Sequence, residues 1–368
     1  MTETEYSIKT FRPLLSKLVQ TPEYFTPNDL RDALNHLFTP DVLHPAQIGA
    51  FLTALHIHRV ERRPENLSAA AAVLRERALK AAIEDIDKDF VVDIVGTGGD
   101  GYNLFNVSTT AAIVASGAGA RVVKICAAWK QSIYILLRLS RSSRITRFAF
   151  SPLHPQAPPL PIRRIPFTFI LAPHYHPAMA SIAPYRKSLP FRTMFNVLGP
   201  LINPARPRGM VLGIVEKELG YPFAQSLLEG GVERALVVCG YERMDEISCA
   251  GPTWVWELKD GQVTESSITP EDFGLSRHGL NKVAGGGPEE NAETFKRLLN
   301  SGGKVPEDLI PVFEFVLMNA SALLVVAGIA KDFKEGAELA RESVISGKAW
   351  RALEIFREEG QKFAADNQ

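Results

Sequence analysis

The sequence predicts a two-domain protein, a small all-helical N-terminal domain followed by a large α/β domain. Three observations carry that prediction. At 368 residues and 46% hydrophobic content, the chain can bury a large core and is long for a single domain. Residues 8–80 place apolar side chains at helical spacing between short turns. FVVDIV at 90–95 then reads as a buried parallel strand, and from Gly209 the runs MVLGIV, FAQSLLEGG and ALVVCG alternate as βαβ units do. The boundary is expected near residue 85, with domains at 1–85 and 86–368.

In the first domain, Thr26-Pro27-Asn28-Asp29 supplies an N-cap, a proline at the first helical position and a capping-box acid. DLRDALNHLF then puts Leu30, Ala33, Leu34, Leu37 and Phe38 on one face. Pro45 and Pro64 open two more helices. His56 and His58, two positions apart, diverge on a helix and cannot share a metal. They read as solvated or packed side chains.

The stretch after FVVDIV carries the chemistry. Gly96-Thr97-Gly98-Gly99-Asp100-Gly101 lets the backbone turn sharply and present N–H groups without a Cβ in the way. Such N–H groups, converging, make an anion nest suited to a phosphate or diphosphate. Asn106-Val107-Ser108-Thr109 precedes the small-residue helix AAIVASGAGA, whose start adds free donors and hydroxyls. The glycines also satisfy G-x-G-x-x-G, a weak signal for a dinucleotide. Against that reading, the helix begins only near Ser108, and Arg121 and Lys124 stand where a ribose-binding acid belongs. A purely structural glycine turn does not explain the following Asn-x-Ser-Thr.

At these residues the chain resembles the anthranilate phosphoribosyltransferases of tryptophan synthesis, through the combination GTGGDG and FNVST. The resemblance implies that Gly96, Thr97, Gly98, Gly99, Asp100, Asn106, Ser108, Thr109 and Lys124 bind phosphoribosyl pyrophosphate. It implies magnesium (Mg2+) on Ser108, Asp245 and Glu246, and anthranilate against Gly96 and Arg186. It also implies a mainly parallel central sheet of the nucleoside phosphorylase/phosphoribosyltransferase type. The helical domain would form one wall of the cleft and a homodimer contact. No residue is assigned as acid or base. Leu104 stands where these enzymes usually have Thr, so one hydroxyl contact is missing.

Where the resembled enzymes continue with Lys-His-Gly-Asn-Arg and a Ser-rich loop over the phosphoribosyl group, this chain reads KICAAWKQSIYILLRLSRSSRITRFAFSP. There is no glycine between Ala120 and Leu198, and Pro152 to Pro166 is proline-dense. Arg138, Arg141, Arg144 and Arg147 fall on no single narrow helical stripe. No Asp or Glu occurs between Gly101 and Val215, an interval with 14 Arg and Lys; the whole chain balances at 41 of each sign, so the remainder is net −14. Residues 125–165 are therefore expected to be a frame or intron-boundary error, which makes a catalytically impaired product the rival to an active enzyme. An Arg-rich nucleic-acid arm is the functional competitor, but such arms rarely alternate with so many apolar residues.

Similarity resumes near Phe167. His176-Pro177-Ala178 and Arg186 resemble return helices at about 174–195, where an Arg grips the aromatic acid's carboxylate through two parallel hydrogen bonds. Further on, Asp245-Glu246 is an adjacent carboxylate pair that needs a cation or water. The run Ser248 to Thr253 matches the family's magnesium site, with Cys249 where Pro is usual. WVWELKDGQVTE reads as a hairpin through Asp260-Gly261. GGGPEENAETFKRLL resembles the family's glycine turn followed by a capped helix, and Val312 to Ala330 reads as a buried helix.

The N-terminus lacks a signal-peptide layout, and the apolar run around Leu317 to Ala330 is too short and interrupted to span a bilayer. Cys126, Cys239 and Cys249 lack metal-ligand spacing and suit a reducing cytosol. The expectation is a cytoplasmic enzyme with neither nucleic-acid nor membrane partners. A pyrimidine-nucleoside phosphorylase on a similar fold is the remaining alternative, and it would carry a different, Lys-containing glycine loop.

Overall fold

The computed structural model describes residues 6–79, 81–85, 88–126, 161–162 and 165–366. Of the anomalous segment, only 125–126, 161–162 and 165 fall within the described residues.

The chain begins with helices α1 (Ile8–Gln20), α2 (Pro27–Leu37), α3 (Pro45–Ile57) and α4 (Pro64–Glu76). Their starts are set by local chemistry. Thr26 caps α2 by accepting from the Asp29 N–H at 3.2 Å, while Asp29 accepts from the Thr26 N–H at 2.7 Å. Pro27, Pro45 and Pro64 each occupy the first helical position, where the missing N–H costs nothing. Leu30, Ala33, Leu34, Leu37 and Phe38 are all buried, as their spacing predicts. His56 and His58 do diverge: His56 stacks on Phe191, while His58 is exposed at the helix end.

The α/β region is built on strands β2 (Val91–Gly96), β3 (Arg121–Cys126), β5 (Phe167–Leu171), β6 (Gly209–Gly213), β7 (Arg234–Gly240), β8 (Thr253–Lys259) and β9 (Gln262–Ile268). They lie in the order β5-β3-β2-β6-β7-β8-β9. The pairs from β5 to β7 are parallel, and β8 and β9 join antiparallel. The sheet is mainly parallel, as expected. A separate parallel pair joins β1 (Ala82–Ile83) to β4 (Pro161–Ile162). Ile125 and Cys126 complete β3 opposite Ile170 and Leu171, so regular structure continues into the start of the anomalous segment.

Alternating side chains sort the sheet's two faces. Val211, Leu236 and Val238 join one apolar cluster with α5 (Val107–Gly117) and the C-terminal helices. Met210, Leu212, Val237 and Cys239 join another, which holds α1 to α4 and the helix Gly220–Glu229. The helical domain is thus seated on the sheet by a shared core. The hairpin turns at Asp260 and Gly261, both at positive φ, as the Asp-Gly pair predicts.

One expectation needs correcting. With its leading turn, the buried apolar helix runs Glu307–Ala327, long and apolar enough to cross a membrane by length and composition. The sequence reading missed this because it began the run at Leu317, whereas the helix proper already spans Ile310–Ala327, 18 residues. Most of the helix is buried inside the protein against α5 and the sheet, as a core helix would be.

Candidate active site

Strand β2 has β3 on one side and β6 on the other, and the chain's direction of travel through the sheet reverses there. A crevice outside the carboxyl ends of the strands is expected at such a switch point. The glycine loop leaves β2 at this place, held by the Thr97 N–H on the Gly213 carbonyl at 2.9 Å. Helix α5 starts at Val107, with Asn106 as its cap, accepting from the Thr109 N–H at 3.3 Å. The start lies beyond the glycines, which separates the arrangement from a dinucleotide fingerprint.

Lys124 comes up from β3 and is 2% exposed. Its ammonium donates to the Ile94 carbonyl at 2.5 Å and to Ser108 Oγ at 3.3 Å. Behind it, the buried Asp93 accepts from Asn203 Nδ2 at 2.8 Å, and Asn203 also donates to the Val123 carbonyl at 2.9 Å. Burial raises the Asp93 carboxyl to about 6, opposed by the Lys124 charge and the Asn203 bond.

The acidic pair arrives from a tight turn after β7, closed by the Gly240 N–H on the Met244 carbonyl at 2.9 Å. Asn319 from the core helix anchors the far side by accepting from the Ile247 N–H at 3.2 Å. Asp245 reaches the glycine loop, where its Oδ2 accepts from the Gly98 N–H at 2.6 Å. A Cβ at Gly96 would lie 2.8 Å from the Asp245 Cγ, so only glycine admits the carboxylate here. Burial, reinforced by the charge of Asp100, pushes Asp245 up to about 6 despite the Gly98 bond. Burial and the neighbouring Asp245 push Glu246 well above the usual carboxylate range, with Lys124 opposing.

Asp100, Asp245 and Glu246 therefore form an acid-rich corner with one ammonium beside it. This donor set suits a hard divalent cation. Among the described residues no three His, Cys, Asp or Glu groups converge closely enough to hold a metal by themselves. Magnesium takes one or two carboxylates and completes its shell with phosphate oxygens and water, so the pair fits it.

The opposite wall is the helix Pro177–Ser188 with the FNVLGP turn. Arg186 is half-buried on that helix and donates to the Phe195 carbonyl at 3.1 Å; burial depresses its pKa. His176 is 2% exposed, with Nε2 paired to the Ile202 carbonyl at 2.8 Å. Burial lowers it to about 4, so it is neutral near pH 7.

A cleft of about 840 Å³ brings these pieces together. Gly96, Thr97, Gly98, Asp100, Asn106, Ser108, Lys124, Arg186, Asp245 and Glu246 all line it. Of the residues picked out from sequence, Gly99 and Thr109 stand off the lining. Gly99 packs on Arg192, and Thr109 is fully buried behind the Asn106 cap. Sequence reasoning gave no role to Asn196 and Lys187 on the lining, nor to Arg192, which bonds the Thr97 carbonyl at 2.9 Å. The run RTMFNVLGPL contains two of them, but nothing in its spacing marks them as facing the loop.

The sequence profile of the glycosyl transferase family's helical bundle domain matches residues 12–78. That of the same family's a/b domain matches 88–128 and 159–350, breaking within the anomalous segment. The anthranilate phosphoribosyltransferase of Schizosaccharomyces pombe is 39% identical over 312 residues, covering 85% of this chain and 86% of that protein. The enzyme of the same name from Saccharomyces cerevisiae, solved in complex with PRPP and Mg, superposes with a TM-score of 0.83 at 31% identity, covering 97% of this chain and 99% of the other. The Thermus thermophilus enzyme gives a TM-score of 0.78 at 34% identity, covering 95% and 99% of the two chains. The chain belongs to the anthranilate phosphoribosyltransferase family of glycosyl transferases.

Proposed function

We propose that this protein transfers the phosphoribosyl group from phosphoribosyl pyrophosphate to the anthranilate amine, with release of pyrophosphate, in tryptophan biosynthesis. The observation that carries the reading is the meeting of glycine loop, acid pair, Lys124 and Arg186 on one cleft. The loop N–H groups, the start of α5 and the hydroxyl of Ser108 would hold the diphosphate. Lys124 adds a buried positive charge. Arg186 would grip the anthranilate carboxylate and point its amine at the anomeric carbon beside Gly96. The amine nitrogen forms the new bond to that carbon while the bond to the pyrophosphate oxygen breaks, and the nitrogen then releases one proton to solvent; catalysis is positioning and electrostatics.

Ser108, Asp245 and Glu246 would hold Mg2+. When bound, the ion neutralises charge on the departing pyrophosphate. The high proton affinity of the two carboxyls, set first by burial and then by neighbouring acid charge, supports this assignment, since a bound dication offsets both.

A homodimer through the helical domain is supported by exposed Ile8, Val19, Tyr24 and Ile57 on that domain. The three cysteines, none in a disulfide, support a reducing, cytoplasmic setting. We assign neither a nucleic-acid nor a membrane partner.

A second reading has its own support. The family profile breaks between residues 128 and 159, where the resembled enzymes carry a loop over the phosphoribosyl group. On that reading the chain binds phosphoribosyl pyrophosphate and turns over poorly. Titration calorimetry with phosphoribosyl pyrophosphate and Mg2+, alongside a turnover assay, tests both. Absence of binding refutes both readings; binding with brisk turnover refutes the second.

A further inference from the structure

Arg192 belongs to none of the ligand contacts above, yet it touches the glycine loop twice. Its Nη2 donates to the Thr97 carbonyl at 2.9 Å. Its guanidinium lies against Gly99, where a Cβ would sit 2.6 Å from the Arg192 Cζ. The Thr97 carbonyl and the Gly98 N–H are the two poles of one planar peptide group, and in a trans peptide they point in opposite directions. Arg192 holds the carbonyl pole, and Asp245 Oδ2 holds the N–H pole at 2.6 Å. Pinning the carbonyl therefore aims the N–H at the acid corner. A bound diphosphate that takes this N–H displaces Asp245 from it, which leaves Arg192 as the side chain still fixing the peptide's orientation.

The segment that carries Arg192 is fastened to the helical domain on both sides. Phe191 stacks on His56 of α3 at 4.4 Å between centroids. The Met194 N–H donates to Glu61 Oε2 at 2.9 Å, with Glu61 itself 6% exposed. The loop's orientation is thus referenced to the helical domain and not to the sheet alone.

We infer that Arg192 is a positioning residue for the anion site, setting the Thr97–Gly98 peptide and transmitting the seat of the helical domain to the glycine loop. The inference rests on the phosphoribosyl pyrophosphate reading of the cleft. A guanidinium suits the task because it donates to a carbonyl while its planar body packs on a Cβ-less backbone. Lysine would keep the charge and a donor but lose that packing.

Calorimetry with inorganic pyrophosphate and Mg2+ on the parent, Arg192→Ala and Arg192→Lys tests it, with thermal unfolding as the control for folding. Arg192→Ala should weaken pyrophosphate binding by about tenfold or more, as expected for losing a charged hydrogen-bond donor. Arg192→Lys should recover part of that loss. Millimolar guanidinium should improve binding to Arg192→Ala and not to the parent, a response that a general packing role would not give. Parent-like affinity in Arg192→Ala overturns the inference, as does a loss that neither Lys nor guanidinium reverses. If Arg192→Ala does not fold, Arg192→Lys decides: affinity equal to the parent's means the guanidinium has no positioning role. A parent that fails to bind pyrophosphate overturns the phosphoribosyl pyrophosphate reading itself, and this inference falls with it.

Discussion

Replacing Asp245 by Asn should make the protein more stable near neutral pH while weakening its metal site. Asp245 is 8% exposed, and burial and the Asp100 charge raise its carboxyl from 3.8 to about 6. A shift of roughly two units corresponds to ~3 kcal/mol by which the folded state disfavours the ionised form. The sign is fixed by linkage. Because the folded-state pKa is raised, the protonated carboxyl's advantage is full below about 3.8 and is lost as pH rises through about 6. Asn keeps an oxygen for the Gly98 N–H and carries no charge at any pH. The variant should therefore gain up to ~3 kcal/mol over the parent near pH 7.5, and the gain should vanish near pH 4. Urea unfolding followed by circular dichroism at both pH values measures it. A variant less stable than the parent near neutrality, or one with the same gain at both pH values, would refute the reasoning.

His176 works in the opposite sense: burial lowers it from 6.5 to about 4, so stability present above about 6.5 is lost as pH falls toward 4, and His176→Gln should flatten that loss in the same unfolding series. Asn203→Ala removes the donor to Asp93 Oδ2 and should cost ~1–3 kcal/mol in urea unfolding; a neutral effect would show that the bond contributes nothing net. Gly98 has φ +67° with nothing within 4 Å of a would-be Cβ, so Gly98→Val should weaken pyrophosphate binding through backbone strain, and unchanged affinity in calorimetry would move the site elsewhere. Converting both Asp245 and Glu246 to their amides should abolish pyrophosphate-dependent Mg2+ uptake in a protein that still folds; retained uptake would place the ion on other groups.

Much of this was legible because the signals are local. Thr26-Pro27-Asn28-Asp29 specifies a helix start from four consecutive residues, and both halves of its capping box form. Asp260-Gly261 specifies a hairpin because both positions take positive φ. The strand, glycine loop and helix start between Val91 and Thr109 are contiguous, so their order alone indicated an anion site. The features that escaped detection span long stretches of chain. Arg192 meets Thr97 across 95 positions, Glu61 meets Met194 across 133, and Asn203 meets Asp93 across 110. No periodicity encodes such pairings; they exist only once the whole chain has folded. The Asp245–Gly98 bond is of the same kind. The sequence showed an acid pair and an anion loop, and only the fold shows the acid occupying a donor of that loop.

The most direct test compares the chain as given with a version whose residues 125–165 are replaced by the family's Lys-His-Gly-Asn loop. Both would be assayed for anthranilate consumption and pyrophosphate release under saturating Mg2+ and phosphoribosyl pyrophosphate. Losing a loop that positions the reacting groups costs roughly a hundredfold or more in rate. The reading in which the altered segment impairs turnover predicts transfer by the repaired chain at a rate at least about a hundredfold above the chain as given. Equal, brisk rates in the two would contradict that impairment, and no transfer by the repaired chain would contradict the phosphoribosyltransferase assignment itself.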